Sequence, residues 1–312
     1  MAHTANGGSA GAPLRIGVDL GGSKIELIAL DRIGQTLWRQ RQPTPKGDYQ
    51  ATLDTIVTLV QRCEQELGMQ GTLGVGIPGV ISSQTGRVKN SNSQCLNGHS
   101  LDTDLAYRLG RPVRTANDAN CFAVSEAMDG AGRGKKMVFG AILGTGCGAG
   151  LAINGEAHSG SNGVAGEWGH NPLPWMSDAE FPGPDCFCGK RGCIESYVSG
   201  SGLERQFFER FGERLTATEI ELKARQADPD ALAIQGAYLD QLARSLAHVI
   251  NILDPDCIVL GGGLSNLDWL YQKLPDVLPH YVIGGECHVP VLRNHHGDAS
   301  GVRGAAWLWG EL

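Results

Sequence analysis

Cys186, Cys188 and Cys193 fall within eight positions, on the run CFCGKRGC. Gly189 and Gly192 let that backbone turn tightly, so amide groups can point at the sulfurs. His170 stands 16 residues upstream. Three thiols and an imidazole make a closed tetrahedral set for Zn²⁺. Cysteines one residue apart rarely meet disulfide geometry. The expectation is a structural Zn²⁺ on His170, Cys186, Cys188 and Cys193, which would give shape to the Gly-, Pro- and Cys-rich residues 154–195.

Two carboxylates flank that set, Glu167 in GEWGH and Glu195 just after Cys193. With His170 they form an acceptor-rich wall of the kind vicinal sugar hydroxyls need. A bland alternative is two exposed acids beside a metal. Glu195 is expected to stand clear of any phosphate-binding turn. Asn117-Asp118 opens the run NDANCFAVSEAMDG, with Gly130 as a stop. The pair reads equally as a helix cap or as a general base at a helix N-terminus. The helix dipole would keep that base ionised, which suits a loose phosphoryl-transfer transition state but not an optimal base.

Glycine-rich turns supply the other half of such chemistry. In Asp19-Leu20-Gly21-Gly22-Ser23-Lys24 a turn between two strands bares backbone N–H groups for phosphate oxygens. Asp19 at the strand end is placed to hold Mg²⁺. LGTGCGAG at 143–150 repeats the device, with Gly144, Thr145 and Gly146 at its tip. Taken alone, the first reads sooner as a plain hairpin and the second can be read as another, but two together fit a nucleoside triphosphate. Gly261, Gly262 and Gly263 end a further strand, where bare backbone can take a flat adenine. A P-loop motif is absent. Gly74, Gly76 and Gly79 match G-x-G-x-x-G, but Pro78 interrupts the expected helix start, and His99 stands where a Rossmann unit has its acid. His295-His296 are expected to be solvated, since no third ligand accompanies them.

These groups must be positioned by α/β elements. Leu14–Leu30 and Val138–Ile153 each alternate, turn on glycine and alternate again, as hairpins. Helical spacing covers Thr52–Leu67 and Leu239–Leu253, and strands are expected at Leu73–Ile77 and Cys257–Leu260. The repeat of strand, glycine turn and strand about 120 residues on implies a duplicated, two-lobed architecture. The expected division is a flexible leader at 1–13, an N-terminal lobe at 14–117 with a C-terminal helix at 300–312 returning to it, and a C-terminal lobe at 118–299. The chain has 312 residues, 41% hydrophobic and 19% charged, enough apolar material for sizeable cores. Glycine numbers 45, read as ligand-holding turns. The net charge of −7 gives no nucleic-acid footprint, and no apolar run suggests a membrane span. The nine cysteines argue against a secreted disulfide scaffold and for a cytoplasmic protein, with the six outside the cluster in the core.

The ordered set DLGGSK (19–24), GIPG (76–79), NDAN (117–120), LGTGCGAG (143–150), GEWGH (166–170), CFCGKRGCIE (186–195) and VLGGGLS (259–265) resembles the ROK family of repressors and sugar kinases. The resemblance implies a two-lobed actin-like ATPase (ribonuclease H-like) fold with a central cleft and a zinc-bound loop. It implies ATP-dependent phosphorylation of a hexose, with Asp118 as the base and Asn117, Glu167, His170 and Glu195 holding the ring beside Gly79 and Asn92. The glycine hairpins and Gly261–Gly263 then hold Mg-ATP, and a homodimer is implied. GEWGHNPLPW, NILDPD and SGVRGAAWLW are most similar to the fructokinase branch, so D-fructose is the expected sugar. N-acetylglucosamine, glucose or mannose is the alternative. A non-catalytic, sugar-responsive regulator is the rival class, and the short leader and Asp118 weigh against it.

Overall fold

The computed structural model describes residues 14–82 and 84–310. The sequence reading of residues 1–13 as a leader lies outside the described residues. In the first half, β1 (Leu14–Leu20), β2 (Lys24–Leu30) and β3 (Thr36–Pro43) precede helix α1 (Tyr49–Leu67) and β4 (Gly71–Ile77). A small ribbon of β5 (Val80–Ile81) and β6 (Val88–Lys89) leads to α2 (Leu101–Leu109) and β7 (Val113–Asn117). Helix α3 (Asp118–Met128) crosses to β8 (Met137–Leu143), β9 (Cys147–Ile153) and β10 (Glu156–Ala157). Helices α4 (Glu195–Val198), α5 (Gly200–Phe211), α6 (Ala217–Arg225) and α7 (Pro229–Leu253) follow. β11 (Cys257–Gly261), α8 (Asp268–Val277), β12 (Val291–Arg293) and α9 (Ser300–Trp307) complete the chain.

The two main sheets run β3-β2-β1-β4-β7 and β10-β9-β8-β11-β12. In each, the leading hairpin is antiparallel and the next neighbour parallel: β1 pairs with β2 and β4, β8 with β9 and β11. This duplicated mixed sheet is the actin-like ATPase fold. Parallel strands need long crossovers, and α1, α2 and α7 supply them. One core gathers β1, β2, β4, α1 and α2, and another gathers β8, β9, β11 and the helices from α4 to α8.

Between the sheets lie α3, against β8 and β9, and α9, against β1 and β4. Their crossing is close: a Cβ on Gly304 would stand 1.6 Å from the Cys121 carbonyl oxygen, and one on Gly74 1.9 Å from that of Ala305. Many of the glycines are thus packing points rather than ligand turns. The accidental G-x-G-x-x-G belongs here, with Gly74 and Gly76 inside β4 facing α9 and Cys121. Helix α1 begins three residues before the periodic stretch because the Asp48 carboxylate caps Ala51 N–H at 2.9 Å. Among the described residues no helix is long and apolar enough to cross a membrane.

Candidate functional site

The carboxyl ends of β1, β4, β7, β8 and β11 place Asp19, Gly79, Asn117, Gly144 and Gly261 together, where ligands sit in open α/β sheets. Asn117 caps α3, its Oδ1 accepting from Ala119 N–H at 2.9 Å, while its Nδ2 donates to the Gly79 carbonyl at 3.0 Å. Gly79 itself has φ 98°, and a Cβ there would press on Ser91. Both readings of Asn117-Asp118 therefore apply at once: Asn117 is the cap, which leaves Asp118, the first helical residue, open to solvent.

The helix N-terminus does not hold the Asp118 carboxyl below its usual range. Protein packed around it pushes its carboxyl above the usual range, the Ala119 N–H pulls it back, and the Glu167 charge pushes it up again. Half-buried Asp19 is pushed up to about 6, first by burial and then by the charges of Asp118 and Glu26. Asp19, Asp118 and Glu167 thus share one neighbourhood, a setting that fits a cation.

Asp19→Asn tests this in the unliganded protein. The folded carboxyl titrates near 6 and the reference carboxyl at 3.8. Its protonated form favours the fold below 3.8, and that stability is lost as pH rises through 6. Ionised Asp19 therefore costs on the order of 1–3 kcal/mol at neutral pH. The variant should melt a few degrees higher at pH 7.5, with the gap closing by pH 4. Equal melting at pH 7.5 would refute the shift.

The first hairpin is braced from β3: Thr44 Oγ1 donates to the Gly21 carbonyl at 2.7 Å, and Thr44 N–H to the Ser23 carbonyl at 3.0 Å. Gly22 and Ser23 are exposed. Lys24 lies 3.8 Å from buried Glu26, which also takes Arg39 and Arg41 at 2.5 and 2.8 Å. Asn92 lines a cavity of ≈ 350 Å³ with Gly22 and Lys46, beside the first hairpin.

The second hairpin opens onto a cavity of ≈ 610 Å³ lined by Gly144, Thr145 and Gly263, with Ser201 of α5 and Thr218 of α6 on its walls. Those helix walls were not expected; the run SGSG at 199–202, a second glycine-rich helix start, was the available signal. Gly261 is buried behind the cavity. Gly262 has φ 79°, and a Cβ there would stand 2.5 Å from the Leu143 carbonyl oxygen, so glycine lets β11 end against β8. Gly146 faces Glu195 rather than this cavity.

Glu195 corrects one expectation. Its Oε2 accepts from Cys147 N–H at 2.9 Å, so it braces the second hairpin instead of standing clear of it. His170 turns Nδ1 to Cys186 Sγ at 3.6 Å and Nε2 toward Glu167 Oε2 at 3.9 Å. Cys188 and Cys193 sulfurs are also 3.6 Å apart. The four donor atoms lie within 4.8 Å of one another, and all three thiols are free. Ligand bonds of about 2.0–2.3 Å to a tetrahedral zinc require neighbour separations near 3.5–3.8 Å; the two 3.6 Å separations meet that, and the donor set of three thiols and an imidazole suits that ion.

Two smaller expectations are also corrected. His296 is not solvated: its Nε2 meets Asp129 Oδ1 at 2.8 Å, and only His295 is exposed. Of the six cysteines outside the cluster, Cys95 and Cys287 are half-buried rather than core.

Two sheets of one topology, two glycine hairpins and an acid at a helix start between them define a phosphotransferase-type actin-like ATPase. The chain belongs to the ROK family, whose model matches residues 15–311. It is 42% identical over 298 residues to an N-acetyl-D-glucosamine kinase of Haemophilus influenzae, covering 94% of this chain and 98% of that one. Its structure is similar to a ROK hexokinase from Thermus thermophilus (TM-score 0.83, 28% identity, 95% and 97% of the two chains). It is also similar to a ROK family glucokinase from Streptomyces griseus in complex with glucose and AMPPNP (TM-score 0.73, 29% identity, 95% and 98%).

Proposed function

We propose that the chain is an ATP-dependent hexose kinase. The observation that carries this reading is Asp118, open at the start of α3, electrostatically coupled to Asp19 of the first hairpin and to Glu167 beside His170. Asp118 accepts the proton of the sugar's primary hydroxyl. That oxygen bonds to the γ-phosphorus while the γ-phosphorus–oxygen bond to the β-phosphate breaks, leaving ADP and a hexose 6-phosphate. Asp118 then passes that proton to solvent. Asn117, Glu167, His170 and Glu195 hold the ring, with Gly79 and Asn92 alongside. Gly21–Lys24 and Gly144–Gly146 hold the phosphates, and Gly261–Gly263 the adenosine side. Mg²⁺ carried with the nucleotide would sit by Asp19 and neutralise phosphate charge. Zn²⁺ on His170, Cys186, Cys188 and Cys193 would be structural. A cytoplasmic homodimer is part of the proposal on the family resemblance alone.

For the sugar, the 42% identical relative supports N-acetyl-D-glucosamine over the D-fructose expected from the sequence. D-fructose is kept as a second reading because GEWGHNPLPW, NILDPD and SGVRGAAWLW stand intact. ADP release should be measured at fixed Mg-ATP with N-acetyl-D-glucosamine, D-fructose, D-glucose, D-mannose and N-acetyl-D-mannosamine. A tenfold lead in kcat/KM for N-acetyl-D-glucosamine supports the first reading, and the same lead for D-fructose supports the second. ADP release with none of the five would overturn the kinase reading.

Glu195 should separate ring binding from hairpin support. A glutamine oxygen can still accept from Cys147 N–H, so Glu195→Gln should raise the sugar KM about 10-fold or more with little change in the ATP KM. Glu195→Ala removes the brace too and should raise both. Equal effects from the two variants would deny Glu195 its separate ring contact.

A further inference from the structure

A further cavity, of ≈ 770 Å³, opens beyond the C-terminal ends of α3 and α9. Asp118 begins α3 and Met128 ends it, so the cavity lies about 15 Å along that helix from the proposed base. Its walls come from both halves of the molecule: Arg32 on the β2–β3 turn, and Arg133, Lys135 and Lys136 on the segment entering β8. All four are exposed, and among the described residues none takes part in an ion pair. The facing acids are Glu156 and Asp129. Asp129 is already engaged by Arg303, by His296 at 2.8 Å and by Trp307 Nε1 at 3.0 Å. A fifth cation, Arg15, also lines the cavity, held on the Gly310 carbonyl and over the Trp307 ring, so one uncommitted acid accompanies five cations, in a chain whose net charge is −7.

The cation-bearing segment is also fixed in place. Lys136 N–H donates to Asp256 at 2.9 Å, and the Lys136 carbonyl accepts from Asn154 N–H at 2.6 Å. Gly132 N–H donates to the Glu126 carbonyl at 2.8 Å, and Lys135 N–H to that of Gly132 at 3.0 Å. A segment already ordered loses little further freedom when it closes on a ligand. Ala127, Met128 and Trp307 add apolar lining, and the volume suits a small molecule. Separated cations with apolar surface between them match a compact anion on a larger body.

We propose that this cavity binds the phosphate group of a small molecule, at a site separate from the catalytic one. The occupant is free phosphate or a sugar phosphate ester. The test is calorimetric titration of the full chain, with the catalytic site filled by its hexose and a non-hydrolysable ATP analogue. Inorganic phosphate and a hexose 6-phosphate are titrated separately. Saturable binding of one equivalent with Kd below about 1 mM is expected. It should weaken at least tenfold in Arg133→Glu/Lys136→Glu, and by a smaller factor in Arg133→Gln/Lys136→Gln, with the basal kcat retained. Tighter binding of the ester by tenfold assigns the site to a phosphorylated sugar, and equal binding assigns it to free phosphate. No saturable binding of either probe, or undiminished binding in both variants, overturns the proposal.

Discussion

Asp118→Asn is expected to lower kcat by about 10²–10⁴-fold while hexose affinity changes far less. The substitution keeps the shape of the side chain and an oxygen that can accept from Ala119 N–H at the start of α3. It removes the lone site able to take a proton from a hydroxyl at that position. The protein packed around it and the Glu167 charge already raise the carboxyl's pKa, which makes it a better base than its place on a helix N-terminus alone would allow. For the same reason wild-type kcat/KM should fall as pH drops through that raised pKa and the carboxyl fills with its proton. The variant should lose that limb of the profile. Removing the Asp118 charge also removes one of the groups that push Asp19 up, so Asp19 should titrate lower in the variant. A variant with near-normal kcat would sink the assignment of Asp118 as the base.

Much of this site was legible because its signals are local. A glycine turn between two alternating runs, an Asn-Asp pair before a helix and three cysteines in eight positions each carry their meaning within a dozen residues. The contacts that sequence reasoning missed join residues far apart. Glu195 and Cys147 are 48 positions apart, and nothing near either one signals the brace. The α5 and α6 walls of the cavity beside Thr145 are set by helix packing on a distant sheet. Glycine content misled in part, because a mid-strand glycine such as Gly74 and a turn glycine such as Gly22 look alike until the crossing helix is in view. The identity of the sugar turns on a few hydrogen bonds in a frame shared across the family. A run such as GEWGHNPLPW and a 42% identical relative can therefore point to different hexoses.

Stripping metal from the cluster should have the second large effect, because Cys193, Ile194 and Glu195 are consecutive. Protein purified without added zinc is expected to hold close to one equivalent per chain. Cys193 is buried, and its backbone bridges to Pro172, two residues after His170. Ile194 N–H donates to the Asn171 carbonyl at 2.9 Å, tying the two halves of the loop together. Without the ion, only weak thiol contacts such as Cys186 Sγ to His170 Nδ1 and Cys188 Sγ to Cys193 Sγ, both at 3.6 Å, hold the four groups together, and the backbone of 170–195 is tied by turns and two isolated bridges rather than by a sheet or a long helix. Loss of that loop moves His170 and releases Glu195 from Cys147 N–H, so the ring wall and the second hairpin fail together. Chelation, or Cys193→Ser, should therefore cost about 100-fold or more in kcat/KM, since misplacing positioned groups by an ångström is enough for that. Far-UV circular dichroism should change little, because the sheets and long helices lie outside the loop. Proteolysis should become selective for 170–195, and re-adding Zn²⁺ should restore the chelated wild type but not the serine variant. An absence of bound metal in the purified protein, or a disulfide among Cys186, Cys188 and Cys193, would remove the basis for all of these effects.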